Sequence, residues 1–337
     1  MLMVIFGAGA SYDSYGALTP PPIANQLRMP LANQLFDRRF GDDYRLFPQC
    51  HPIIPLLQRS GVNVESVLEG LQQEASQYPP GLSQLAAIRF YLGYMLSRCQ
   101  QTWTNSVTKG PTNYKTLLDQ IARRPIAKEK VCLVTFNYDT LLDEALTSRG
   151  IKIQAMNDYV SSDFYLIKLH GSVNWVHEVR GLAVPNLSGD YLISEIINNT
   201  PTLNVDGESF EIVSENPFAR QAGRPLFPAL AIPVENKPGY ECPKDHRKVL
   251  ESCLPRVTKV LVIGWRGSEN RFLKTLADGL PKNANFLVVS RNEESAGQTI
   301  TRITPVMREA NITGNFFATK TTFSGFVFSP ELADFLR

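Results

Sequence analysis

Paired cysteines are missing from this chain. Its five cysteines stand at 50, 99, 132, 242 and 253, and no two form a Cys-x-x-Cys pair. That excludes a zinc ribbon and a dithiol redox centre. The odd count, with Cys132 inside an apolar run, reads as reduced thiols in a cytoplasmic protein. An excess of charge is missing too. Thirty-four basic against thirty-two acidic residues leave a formal +2, too little surplus for a chain that neutralises nucleic-acid phosphates. The densest basic stretches, FDRRF (36–40) and IARRPIAKEK (121–130), read as solvated helix faces. No apolar run reaches membrane-spanning length. The apolar start, MLMVIFGAGAS, lacks a basic leader region and reads as a first strand. Internal repeats and low-complexity tracts are absent, and there are only four histidines.

What is present is an ordinary core-forming composition, 43% hydrophobic over 337 residues, and an alternation of short apolar runs with amphipathic segments. Residues 2–6, 130–136, 164–169, 259–265 and 284–290 are short apolar or β-rich runs, with 230–234 a possible sixth strand. Proline-rich LTPPP (18–22) reads as a loop, and 23–40 carries helical spacing interrupted by Pro30. Segments 62–76, 82–103, 113–124, 139–150 and the stretch between 264 and 284 read as helices. In the first, Val62, Val67, Leu68 and Leu71 share one stripe. Gly150 stands where a helix-terminating glycine belongs. Strands alternating with helices predict an α/β chain: a Rossmann-like, doubly wound parallel sheet. The expected organisation is a single domain over 1–337. A helical insertion at about 38–125 follows the first strand-loop unit, and a loop-rich excursion lies at about 177–228.

Ligands of such sheets bind outside the carboxyl ends of the strands, so the residues there are the candidates. The first strand is followed by Gly7-Ala8-Gly9-Ala10-Ser11. This is either a tight turn or a loop whose glycines let the backbone approach a pyrophosphate, with the Ser11 hydroxyl as an added donor. Tyr12 stands where a full Gly-x-Gly-x-x-Gly would have its third glycine. The second run ends in Asn137-Tyr138-Asp139, which suits a helix cap or a polar site. The third ends in His170-Gly171-Ser172. The next ends in GWRGSEN (264–270), with Arg266 and Ser268. Only His170 among the four histidines stands at such a strand end. His51, His177 and His246 have no ligand partners at useful spacing and read as structural. No metal cluster is written in the sequence.

The ordered set GAGAS, TFNYD, KLHGS and VIGW before a serine resembles the sirtuin family, more closely its bacterial antiphage-defence branch. The motifs run from residue 6 to about 292. The resemblance implies NAD+ as substrate, bound by Gly7, Ala8, Gly9 and Ser11 at the phosphates, by Gly264 and Ser268 in a later phosphate- and ribose-contacting loop, and by Asn292 at the adenosine end. It implies Asn137 and Asp139 beside the nicotinamide ribose and His170 as the catalytic histidine. Deacylating sirtuins carry a four-cysteine zinc module that this chain lacks, and YDSYGALTPPP replaces their Asp-Phe-Arg element. The implied activity is therefore NAD+ glycohydrolysis to nicotinamide and ADP-ribose, without a metal, by an NAD+-depleting antiphage effector. The same site could instead serve protein deacylation or ADP-ribosyl transfer, or a non-catalytic module that senses a nucleotide. By analogy the chain is expected to form a homo-oligomer or to pair with a HerA-type hexameric ATPase. SRNEE (290–294) leaves the choice between NAD+ and NADP+ open.

Overall fold

The computed structural model describes residues 1–14, 28–59, 61–75, 77–107, 112–123, 129–182, 189–213, 224–234 and 239–337. LTPPP, expected as a loop, lies outside them. Strands β1 (Leu2–Phe6), β2 (Val131–Thr135), β3 (Phe164–Lys168), β4 (Gly171–Arg180), β5 (Asn204–Val205), β6 (Glu211–Ile212), β7 (Leu226–Leu230), β8 (Lys259–Ile263), β9 (Asn285–Val289) and β10 (Phe316–Ala318) appear in chain order. Six form one sheet in the order β10-β9-β8-β1-β2-β3, and every pair in it is parallel. Counted along the chain, that is the 3-2-1-4-5-6 order of a Rossmann-like sheet, and its order reverses between β1 and β8.

All of these strands except the half-exposed β10 are buried on both faces, which is why they read as unbroken apolar runs. Alternate side chains serve two cores. Val4, Leu133, Leu166 and Leu261 join one core, shared with helix Pro79–Val107 and helix Asn113–Ala122. Ile5, Val134, Ile167 and Val262 join the other, beneath helices Lys244–Cys253, Asn270–Gly279 and Glu293–Glu309. Between β1 and β2 the described chain is helical. Residues 28–40 depart from the expected helix: they form two short 3-10 turns, Ala32–Gln34 and Arg38–Phe40, as Pro30 denies the backbone an amide donor. Gly150 does terminate a helix, with φ +85° and the Ile151 amide donating to Leu146 O at 3.2 Å.

The excursion expected to be loop is in part regular structure. β4 pairs antiparallel with β5, β6 and β7, and helix Gly189–Asn199 follows β4. Of the residues that suggested loops, Gly189, Asn198 and Asn199 lie in that helix and Asn204 in β5. The strand anticipated at 230–234 lies earlier, at Leu226–Leu230, with Pro228 inside it.

Register places the chemistry. Lys168, Thr135, Phe6, Ile263 and Val289 form one row of partners across five strands. Each chain therefore leaves the sheet at the same level, and the next residues, from His170 round to Gly264, share one rim. Gly171 makes the exit from β3 possible. Its φ is +79°, and a Cβ there would lie 1.9 Å from Ala229 O. Gly171→Ala combines a left-handed backbone with a clash against β7. We expect it to lower stability by about 3 kcal/mol or more, seen as a lower urea midpoint with an unchanged slope.

Candidate functional site

The rim is held together by backbone contact between the loops after β1 and β8. Gly7 N donates to Ile263 O at 3.0 Å and Gly9 N to Gly264 O at 3.1 Å. A Cβ on Gly7 would sit 2.6 Å from Gly264 O, and one on Gly264, whose φ is +63°, would sit 2.3 Å from Ala10 N. The glycines are thus required by each other. Two of the amides expected to face a pyrophosphate are instead committed to β8. Ala8, half-buried, opens the short helix Ala8–Tyr12.

Ser11 also differs from expectation. It faces inward, 3% exposed, and its hydroxyl exchanges a hydrogen bond with the Tyr114 hydroxyl at 2.9 Å. It also accepts from Asn137 Nδ2 at 2.9 Å. That amide nitrogen donates to Gly7 O as well, at 3.0 Å. A carbonyl only accepts, so Gly7 fixes which end of the Asn137 amide is nitrogen. The side-chain carbonyl Oδ1 is left as the end to which no described group donates. Tyr114, buried on helix Asn113–Ala122, gave no signal in the sequence beyond its apolar helix.

Asp139 fulfils the capping alternative: its Oδ1 accepts from Leu141 N at 3.1 Å. Burial pushes its carboxyl above the ordinary range, opposed by the Ser11 hydroxyl and the Lys168 ammonium. Lys168 is wholly buried, donating to Asp139 O at 2.7 Å and to Asp143 Oδ2 at 3.0 Å. Asp143 Oδ1 also accepts from Tyr159, 2.7 Å away, and Tyr159 accepts from Trp175 Nε1 at 3.0 Å. This network fixes the turn that carries Asn137.

His170 is 4% exposed. Its ring lies 4.9 Å from that of Phe136 and 6.1 Å from that of Tyr138, centroid to centroid. Phe136 in turn stacks on Trp265 at 5.4 Å. The His170 backbone is gripped on both sides: its carbonyl accepts from Ala231 N at 3.0 Å, and Glu241 N donates to Leu169 O at 3.1 Å. Tyr138 sews the two loops together, its hydroxyl donating to Ala231 O at 2.9 Å while its carbonyl accepts from Val173 N at 2.8 Å. Glu241, unremarked in the sequence, carries a further brace. Its carboxylate meets His177 Nε2 at 2.5 Å and Arg89 Nη1 at 3.5 Å. Burial raises the Glu241 pKa, but the His177 bond and the Arg89 charge outweigh it and hold the carboxyl below its ordinary value.

The structure brings His170, Asn137, Asp139, Gly7, Gly9, Ser11 and Gly264 to one rim. Two further candidates follow β8 and β9. Asn292 caps helix Glu293–Glu309, its Oδ1 accepting from Ser295 N at 2.9 Å. Ser268 is exposed and donates to Glu269 Oε2 at 3.3 Å. His177 and His246 are buried structural residues, His246 Nε2 lying 2.8 Å from Met156 O. Among the described residues there is no cluster of metal-ligating side chains, and no helix is long and apolar enough to cross a membrane.

No protein-family model and no curated protein matches the chain. Among solved structures it is similar to a mutant Sir2 homologue complexed with 2′-O-acetyl ADP ribose, at 15% identity and TM-score 0.42, covering 100% of this chain and 91% of that one. A Sir2 homologue–NAD complex aligns at 13% identity and TM-score 0.41, covering 100% and 90%. A Sir2 homologue mutant with ADP ribose aligns at 13% and 0.41, covering 100% and 91%. At such low identity the side chains of the rim have to account for their own chemistry.

Two outcomes follow from the buried charges. Lys168→Met strands the Asp143 carboxylate and frees the Asp139 carbonyl, costing about 3–5 kcal/mol. Adding Asp143→Leu recovers part of that loss, read by chemical denaturation. Glu241→Gln costs about 1–3 kcal/mol at neutral pH. Because the folded pKa is depressed, the native carboxylate stabilises the fold above its unfolded value, and the benefit fades as pH falls. The gap between wild type and variant should therefore close below the ordinary value of 4.5. Paired thermal melts across pH 3–7 check this.

Proposed function

We propose that this chain is an NAD+ glycohydrolase with His170 as its general base. One observation carries the reading: the His170 ring and the Asn137 amide, oriented by Gly7 and Ser11, occupy adjacent strand ends, with Asn137 next to the strand where the sheet order reverses. Nicotinamide in NAD+ is already a cationic leaving group, so the N-glycosidic bond can break without a general acid. The bond electrons depart with nicotinamide, which leaves neutral. The ribose C1′ becomes oxocarbenium-like, and water attacks it from the opposite face. Asn137 Oδ1 accepts a hydrogen bond from that water or from a ribose hydroxyl, and His170 takes the proton lost by the water. ADP-ribose is the product. Asp139 acts from beneath, shaping the turn that presents Asn137. Gly7, Ala8, Gly9 and Gly264 provide a close backbone surface that the diphosphate passes, with the Gly7 and Gly9 amides engaged by Ile263 O and Gly264 O.

The biological setting that suits such chemistry is cytoplasmic NAD+ depletion during phage infection, held in check by assembly as a homo-oligomer or by a HerA-type hexameric ATPase. The test is nicotinamide release by purified protein over a concentration series, with and without an acetyl-lysine peptide. Wild type should release nicotinamide without the peptide, and His170→Ala should lower the rate about 10²–10⁴-fold, with Asn137→Ala also strongly impaired. Release that requires the peptide would replace hydrolysis by acyl or ADP-ribosyl transfer. Tight binding without turnover at any concentration would favour the sensing module.

A further inference from the structure

A cleft of 540 Å³ opens beside the rim, between the chain that follows β1 and the loop that follows β8. Its volume falls in the range of small-molecule sites. Phe36, Leu57 and Val64 supply a buried apolar floor. Arg38 and Arg59 line it from the helical layer, and Arg266 from the β8 loop. All three side chains are exposed. Among the described residues no carboxylate makes an ion pair with any of them. Two carboxylates share the cleft, Asp37, which lies 3.8 Å from Arg39, and Glu65.

The loop that follows β8 links the edge of the cleft to the rim. Arg266 directly follows Trp265, whose ring stacks on Phe136 beside His170. Glu65 lies near enough to Tyr138 to raise the pKa of its phenol, after burial has done so. The Arg266 carbonyl accepts from Arg302 Nη1 at 3.2 Å, which braces the loop. Apolar floor and cationic edge are what a nucleotide presents complements to: a base or ribose face against carbon, and phosphate oxygens against guanidinium forks.

We infer that Arg38, Arg59 and Arg266 form a clamp that holds the diphosphate of a nucleotide ligand across this cleft, so that the helical layer helps to bind what the strand ends act on. The inference rests on the nucleotide reading of the rim but not on hydrolysis. Two of the amides that would otherwise cradle a diphosphate, those of Gly7 and Gly9, are committed to β8. Guanidinium groups take over that part of the task.

The probe is ADP-ribose, titrated calorimetrically into wild type, Arg38→Gln, Arg59→Gln, Arg266→Gln and the triple variant, at low and high salt. Thermal melts serve as the folding control, since exposed arginines bear little on stability. Each single variant should weaken ADP-ribose binding about five- to tenfold, and the triple variant should lose most of the salt dependence. The KM for NAD+ should rise correspondingly, with kcat falling far less. A folded triple variant that binds ADP-ribose within twofold of wild type overturns the clamp, whether or not the protein hydrolyses NAD+. Arginine-dependent ADP-ribose binding by a wild type that releases no nicotinamide supports the clamp and removes the hydrolase reading instead.

Discussion

The loops after β1 and β8 touch backbone to backbone, and the geometry of the rim depends on that contact. It is possible only without side chains at Gly7, Gly9 and Gly264, where an added Cβ would lie 2.6, 2.9 and 2.3 Å from a neighbouring main-chain atom. Because the loops are that close, the short helix after Gly7 is drawn down onto the end of β2, and Ser11 lands under Asn137. Gly7 O and Ser11 Oγ then take the two donors of the Asn137 amide. A constraint on main-chain packing thereby decides which atom of Asn137 is available to a ligand.

The rim is fixed from below by buried charge rather than by carbon alone. Lys168 with Asp143 secures one loop, and Glu241 with His177 and Arg89 secures the strand end that carries His170. Buried ion pairs contribute little net stability, since desolvation offsets their attraction, yet breaking one partner is costly. Their effect here is positional. Each pair joins segments distant in sequence, and a shift in any of them would leave a charge unmatched. His170 is thus presented by a frame with few alternative arrangements.

Much of this frame was legible in the sequence. Five of the six parallel strands were marked by unbroken apolar runs, since both of their faces are buried; the short β10, with Phe317 exposed, was not. The candidate residues were marked because register brings the residues after such runs to a common level. What escaped was whatever depends on who faces whom. Ser11 and the Gly7 and Gly9 amides looked available to a phosphate but are satisfied by Tyr114, Asn137 and β8. Asn292, expected at an adenosine end, also caps a helix. The antiparallel strands β4 to β7 were obscured by turn-forming residues and by Pro228. Lys168 carried no signal of its own because its carboxylate partner sits 25 positions away. The cleft arginines come from three separate segments, so neither FDRRF, which holds Arg38, nor GWRGSEN, which holds Arg266, announced their meeting with Arg59.

The structure of the wild-type protein with ADP-ribose bound is the most direct test of the central claim that His170 and Asn137 share one reacting centre. The account predicts the distal ribose at the rim between β2 and β3, with its anomeric carbon within one water molecule of the His170 ring and a ribose hydroxyl or that water about 3 Å from Asn137 Oδ1. A ligand seated elsewhere on the chain, with the His170 ring still enclosed by Phe136 and Tyr138 and touching no sugar, would contradict it.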